Sequence, residues 1–201
     1  MTRDQCVIYL VRHGETAWNV AGRQQGHLNS PLTPKGIAQA QAVGRTLRRL
    51  LPGGRAFCIE ASPLERARRT AALICAELDI PAQAVAVSPL LIEHHLGVWQ
   101  GLTYAEIDER YPGARREREA SKWDYRVQGG ESYALVSDRA KQWLSARRPD
   151  LVTIAVTHEM ISRTIQGTYG SLSPQETIAL SHRHGQIFRL CSGKVTELAV
   201  D

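Results

Sequence analysis

Apolar residues fall along this chain in two patterns that alternate. Cys6 to Val11 (CVIYLV), Ala56 to Ile59 and Leu151 to Val156 (LVTIAV) are short, nearly unbroken apolar runs, as expected of strands covered on both faces. Elsewhere apolar positions recur every three or four residues. Ile37, Ala40, Val43, Leu47 and Leu50 mark one face of a helix. Thr33 can cap it, Pro34 suits its first turn, and the PGG at 52–54 ends it. Leu64, Ala67, Ala71, Ile74 and Leu78 mark a second helix, with Ser62 as its cap and Pro63 at its start. A third short strand is expected to end near Ile92, and a helix to cover 103–110. The charged, Gly-rich stretch 112–130 reads as irregular, and Glu131 to Arg148 as another helix. A helix should begin just after the strand ending at Val156, and runs such as Gln186 to Leu190 read as short strands.

Strand–helix alternation of this kind predicts an α/β fold: three layers, α/β/α, around a mostly parallel central sheet. No linker, repeat or low-complexity segment divides the 201 residues, so one domain over 1–201 is expected. In such folds ligands bind beyond the carboxyl ends of the strands, so the residues just past each strand are the place to look for chemistry.

Composition narrows the class. With 43% hydrophobic and 22% charged residues, a disordered or fibrous chain is excluded. No run of about 18 apolar residues suggests a membrane span. The apolar stretch near the N-terminus runs into charge without a small-residue cleavage site, so it reads as a strand, not a secretion signal. Cys6, Cys58, Cys75 and Cys191 are far apart, with no CxxC pair. They read as buried free thiols of a cytoplasmic protein. The formal charge of +5 suits an anionic partner. The arginine groups 45/48/49, 115/116/118 and 147/148 do not interleave with aromatics and read as solvated helix faces, which argues against nucleic acid.

Past the first strand stands Arg12-His13-Gly14, continuing to Thr16 and Asn19. Past the second stands Ser62-Pro63-Leu64-Glu65-Arg66, past the third Glu93, and past the strand 151–156 Thr157-His158. Each residue alone has an ordinary structural explanation. Together, two histidines, two arginines and a carboxylate would converge on one rim. Arg183-His184-Gly185 repeats the RHG letters, but it follows polar Ser181-His182, not a buried strand, and reads as coincidence. The His182/His184 and His94/His95 pairs lack metal-finger spacing.

In order along the chain, RHGETAWNxxxRxQG, PLTPKGxxQA, SPLERARRTA, LLIEHHLGVWQGLT, GGES and VTHEMISR resemble the successive signatures of the histidine phosphatase superfamily, in its phosphoglycerate mutase-like branch. The resemblance runs from about residue 7 to 165 and implies the corresponding fold. It implies that His13 attacks phosphorus to form a phosphohistidine, which water then hydrolyses. Physically this fits, because neutral imidazole is abundant near pH 7 and needs no strong base to become a nucleophile. Arg12 and Arg66 could each offer paired N–H donors to phosphoryl oxygens. By resemblance His158 is a second phosphate-binding histidine, expected to be cationic, and Asn19 a neutral donor. Thr16 and the backbone around Gly26 are expected to touch bridging or remote oxygens. Glu93 takes the position of the proton donor, a task for which burial should raise its pKa. No metal or other cofactor is called for, since arginines and histidine supply the positive charge.

Two departures from the family pattern stand out: Asn29 before Ser30-Pro31-Leu32, and Glu159-Met160 after His158, where small glycines are common. Glu159 brings a negative charge close to the phosphate site and could narrow substrate choice. The stretch EHHLGVWQGLTYAEI lacks the longer mutase pattern, which favours a phosphomonoesterase acting on a small phosphorylated metabolite. Phosphoglycerate mutase activity and a catalytically silent ligand- or partner-binding relative stay open as alternatives. Trp99, Tyr104, Arg115, Arg116 and Trp123 could shape a lid. A homodimer is also left open.

Overall fold

The computed structural model describes residues 7–51 and 56–200. Cys6 and the expected PGG helix stop at 52–54 lie outside them. Six strands form one sheet: β1 (Ile8–Arg12), β2 (Phe57–Ala61), β3 (Val85–Val87), β4 (Val152–Thr157), β5 (Ile187–Cys191) and β6 (Lys194–Leu198), in the order β3-β2-β4-β1-β5-β6. The first four in that order are parallel, and β5 and β6 add an antiparallel edge. The three-layer, mostly parallel α/β architecture read from the sequence is the one observed.

The pleat of the strands explains the layers. Tyr9 and Val11 face one way, into a core with Val43 and Leu47 of α2 (Pro34–Leu50) and Ala67, Ala71 and Ile74 of α3 (Glu65–Glu77). Ile8 and Leu10 face the other way, into a core with Val136, Ala140 and Trp143 of α6 (Tyr133–Ser145) and Ile161 and Ile165 of α7 (Glu159–Tyr169). Full burial of one such aliphatic side chain is worth about 1.5–3 kcal/mol, so two-sided covering makes β1 and β4 the most firmly held strands. Between α3 and α6, the short helices α4 (Tyr104–Arg110) and α5 (Ala114–Ala120) lie in a segment with its own small core of Leu96, Trp99, Ile107 and Val127. A four-residue helix, α1 (Ala17–Val20), follows the first strand, and α8 (Pro174–Ala179) follows α7.

Several expected boundaries move. The third strand ends at Val87, and a 3-10 turn at Pro89–Leu91 carries the chain on to Glu93. The stretch expected to be irregular contains α5, whose ARREREA sequence is rich in helix formers. Ser62 does not cap α3: its first helical residue is Glu65, after Leu64, and the Ser62 hydroxyl is engaged elsewhere. Thr33 does cap α2, accepting from the Gly36 N–H at 3.0 Å, with Pro34 in the first turn.

The arginine groups are less solvated than expected. Arg147 pairs with Glu60 and lies over the Trp143 ring, and the Arg118 side chain is only 7% exposed. Of the described cysteines Cys75 is buried, while Cys58 and Cys191 are half-buried; all three are free thiols. Among the described residues no helix is long and apolar enough to cross a membrane.

Candidate active site

Strand register places the two histidines. Arg12 at the end of β1 sits opposite Thr157 at the end of β4, so His13 and His158 emerge side by side. The His13 N–H donates to the Thr157 carbonyl at 2.9 Å, and the Ser62 N–H donates to the Val156 carbonyl at 3.0 Å. The exits of β1, β2 and β4 are thereby bound together. The His13 and His158 ring centroids lie 5.1 Å apart, and both residues are buried.

His13 is held in one tautomer. Its Nδ1–H donates to the Gly14 carbonyl at 2.8 Å, which leaves the Nε2 lone pair free to accept. Burial, followed by the charges of Arg66 and Arg12, holds the imidazole pKa well below its usual value, so the ring is neutral. The Arg66 Nε–H reaches both His13 Nε2 and His158 Nδ1, each at 3.2 Å. Its two terminal nitrogens donate to the Leu28 and Gly26 carbonyls, both at 2.7 Å. The fork of Arg66 is thus committed to main chain, contrary to the expectation that it faces phosphoryl oxygens; its Nε edge faces the histidines. Burial lowers its pKa to about 10, which still leaves it charged near neutrality.

His158 also departs from expectation. Its Nδ1 accepts from Arg66 and its Nε2–H donates to the Ser62 hydroxyl at 2.7 Å. Burial and the adjoining Arg66 charge push its pKa well down, so it is neutral, not cationic. Ser62 is therefore a site residue that the capping pattern concealed.

A cavity of about 330 Å³ opens beside these groups, lined by Arg12, His13, Asn19, Gly26, Arg66 and Glu93 among others. His158 and Thr16 are not part of its lining; they stand behind it. Thr16 caps α1, and its hydroxyl bonds Asn19 and Gln25, both of which do line the cavity. Asn19 Oδ1 is taken by the Thr16 N–H at 3.0 Å, which leaves its amide N–H₂ as the donor for a ligand. Gly26, at φ 52°, lines the cavity while its carbonyl holds Arg66, and a Cβ there would meet Gln100 Oε1 at 2.2 Å.

Arg12 is anchored through one terminal nitrogen, which donates to the His182 carbonyl at 2.8 Å and pairs with Glu159 at 2.8 Å. Its Nε is buried without a protein partner. An orphaned buried donor costs about 1–3 kcal/mol, a cost that an arriving anion would remove. Glu159 also pairs with Arg163, one helical turn further along α7. The negative charge noted beside the phosphate site is therefore neutralised between two arginines. Glu93 accepts from the N–H groups of His94 (2.8 Å), Ile161 (3.2 Å) and Met160 (3.3 Å), which seats its carboxyl against the first turn of α7. Glu93 is half-buried and is an acceptor in all three, so its carboxyl rests in a cradle of main-chain N–H groups.

The lining also holds Arg118, Lys122 and Tyr133, which motif reading missed, and Arg163, beside Glu159. Of the five expected lid residues only Tyr104 lines the cavity. Trp99 is buried in the small core, and Trp123 stacks on Tyr133. His184, dismissed with its RHG triplet, lies against His13 with ring centroids 5.2 Å apart. Periodicity could not reveal this, because β5 carries it there by antiparallel pairing with β1. Behind the site, Gly14 is pressed onto the start of α2: a Cβ there would lie 2.2 Å from the Gly36 carbonyl oxygen. Among the described residues no group of three or more His, Cys, Asp or Glu side chains is arranged to hold a metal.

Comparison with known proteins agrees with this geometry. The model of the histidine phosphatase superfamily (branch 1) matches residues 8–195. A glucosyl-3-phosphoglycerate phosphatase of Mycolicibacterium vanbaalenii is 32% identical over 196 residues, covering 96% of this chain and 76% of that protein. A metal-independent phosphoserine phosphatase of Arabidopsis thaliana is 37% identical over 162 residues, covering 79% and 66% respectively. The solved structure of a mycobacterial glucosyl-3-phosphoglycerate phosphatase complexed with VO3 superimposes with a TM-score of 0.78 at 27% identity, over 96% of each chain. The chain belongs to the histidine phosphatase superfamily, and within it the chain is a phosphomonoesterase.

Proposed function

We propose that the protein hydrolyses its ester through a phosphohistidine on His13 Nε2, and that its substrates carry a second anionic group on the alcohol. The observation that carries the first part is the pinned tautomer: with Nδ1–H bound to Gly14, Nε2 carries the ring's lone pair, which meets the Arg66 Nε–H at 3.2 Å, and His13 lines the cavity. Nε2 attacks phosphorus and the P–O ester bond breaks. The leaving oxygen takes a proton from Glu93, so Glu93 must enter this step protonated. Water then attacks phosphorus, the P–Nε2 bond breaks, Glu93 takes a proton from the water, and phosphate leaves. Arg12 and the amide of Asn19 stabilise the equatorial oxygens, while the charge of Arg66 stands beside both histidines, as phosphoryl transfer requires. His158 gains its proton only against the phosphoryl charge.

Arg118, Lys122 and Arg163 in the cavity lining support the second part. Their cationic groups suit a carboxylate, the feature shared by the substrates named for the glucosyl-3-phosphoglycerate and phosphoserine phosphatases. The free thiols suit a reducing, cytoplasmic setting.

The test is phosphate release from p-nitrophenyl phosphate in excess chelator, with mass-spectrometric trapping of the phosphoenzyme. Wild type should turn over and carry one acid-labile phosphate that His13→Ala lacks. An active His13→Ala would overturn the mechanism, and failure to cleave any monoester would favour a silent binder. Exchange of phosphate between 2- and 3-phosphoglycerate without release would instead mark a mutase.

A further inference from the structure

The loop between α8 and β5 reaches both members of the Arg12-His13 pair. The His182 carbonyl accepts from Arg12, and the His184 Nδ1–H donates to the His13 main-chain carbonyl at 2.7 Å. The loop is itself firmly seated. His182 is buried, with its ring nitrogens against Ser162 Oγ at 2.6 Å and the Gln186 carbonyl at 3.2 Å. Gly185, at φ 80°, turns the chain over Gln39, whose side-chain oxygen accepts from the Glu15 N–H at 3.0 Å.

The main-chain hydrogen bonds around His13 show what His184 contributes. The His13 N–H goes to Thr157, the Gly14 N–H to Thr70 Oγ1 at 3.0 Å, and the Gly14 carbonyl to the His13 ring. The His13 carbonyl and the Gly14 N–H belong to one rigid peptide plane and point in opposite directions. That plane is therefore pinned at one edge by Thr70 and at the other by His184. The same plane carries the chain on to Gly14, whose carbonyl sets the His13 tautomer.

We propose that His184 is a positioning residue for the nucleophile: by fixing the His13–Gly14 peptide plane it aims the His13 Nε2 lone pair at phosphorus. The inference rests on the reading of His13 as the phosphoryl acceptor. Burial and the nearby Arg12 charge hold the His184 pKa down at about 4. Its ring is then a neutral donor near pH 7 and adds no positive charge beside the nucleophile.

The test compares full-length variants with the wild type on p-nitrophenyl phosphate, by steady-state and quench-flow kinetics. His184→Phe keeps a ring against His13 but removes the donor; His184→Asn can place an amide N–H where Nδ1–H stood. His184→Phe should lower kcat and the rate of phosphoenzyme formation about 30-fold, within the range that small misplacements cost, with KM changed less than about 2-fold. His184→Asn should recover to within about 3-fold of wild type. Should His184→Phe not fold, His184→Ala, verified as folded by circular dichroism, must show the same loss of kcat. Wild-type rates in the donor-free variant, or equal losses in the Asn and Phe variants, would overturn the inference. His13→Ala separates the two failures. If it stays active, the phosphohistidine reading falls and this inference with it; if it is dead while the donor-free His184 variant is fast, only this inference falls.

Discussion

His13 and His158 owe their positions to the register of two doubly covered strands, whereas Arg118, Lys122 and Tyr104, across the same cavity, ride on a segment with a core of four buried residues. On the sheet side, main-chain bonds between strand exits hold each reactive group. On the other side, the segment carrying α4 and α5 is tied to the body by the Arg23–Glu106 ion pair and by main-chain bonds such as those of Gln24 with Gly101 and Leu102, around its own small core. A region with few buried apolar contacts opens at lower free-energy cost than a central sheet. The division matches the proposed roles: the groups proposed for phosphoryl transfer stand on the firmly held side, and those proposed to meet the alcohol on the looser one.

Four experiments would break or sharpen this contrast. The largest effect is expected from Arg66→Ala on the sheet side. It removes the donors to two carbonyls and two imidazoles at once. Activity should fall at least about 1000-fold and stability by about 3 kcal/mol or more, measured by phosphate release and urea titration; retention of both would refute the assigned role. Glu93→Gln comes next. Hydrolysis of alkyl phosphates should drop by about 100-fold or more, while p-nitrophenyl phosphate, whose leaving group needs little protonation, should lose under about 10-fold. Equal losses on both esters would remove Glu93 as the proton donor.

Trp99→Ala cuts into the small core and should cost about 3 kcal/mol locally. If the two regions are separable, hydrogen exchange will rise across 94–127 but not in β1 and β4, and KM for a carboxylated phosphomonoester will rise while kcat for the aryl ester holds. Uniform exchange over the whole molecule would mean one cooperative unit. The mildest effect is that of pH. His13 and His158 lie well below the histidine value of about 6.5, and His182 and His184 lie at about 3 and about 4. The unfolded chain therefore binds more protons once the pH drops below about 6.5. Their contribution to stability is complete above that value and is lost as the pH falls toward 4 and below. A urea midpoint that stays level from pH 7 to pH 5 would contradict this.

The same division governs what could be read from the residues alone. The doubly covered strands announce themselves as unbroken apolar runs, and His13, Arg66, Glu93 and His158 follow them closely enough in sequence to be found. Other features depend on partners distant in sequence, and local patterns mislead there. Ser62 looks like a helix cap because it precedes a proline and an amphipathic run, yet its hydroxyl serves His158, 96 residues away. His184 sits in a polar context that denies it a buried strand, but antiparallel pairing of β5 with β1 returns it to His13. The neutral state of His158 and the committed fork of Arg66 follow from burial and carbonyl placement, neither of which a motif encodes. Charge density concealed α5, because ARREREA reads as solvated chain until its buried Arg118 is seen.

The contact behind His13 has a consequence for the way this protein can vary. Gly14 and Gly36 have no room for a methyl group: a Cβ on the latter would lie 2.1 Å from the Glu15 carbonyl oxygen. Alanine at position 36, on a helix with no residue in the cavity, would have to push the first loop outward and the His13 ring with it. A surface-helix replacement there would be scored as a loss of reactivity, and only the missing hydrogen-sized gap would explain why.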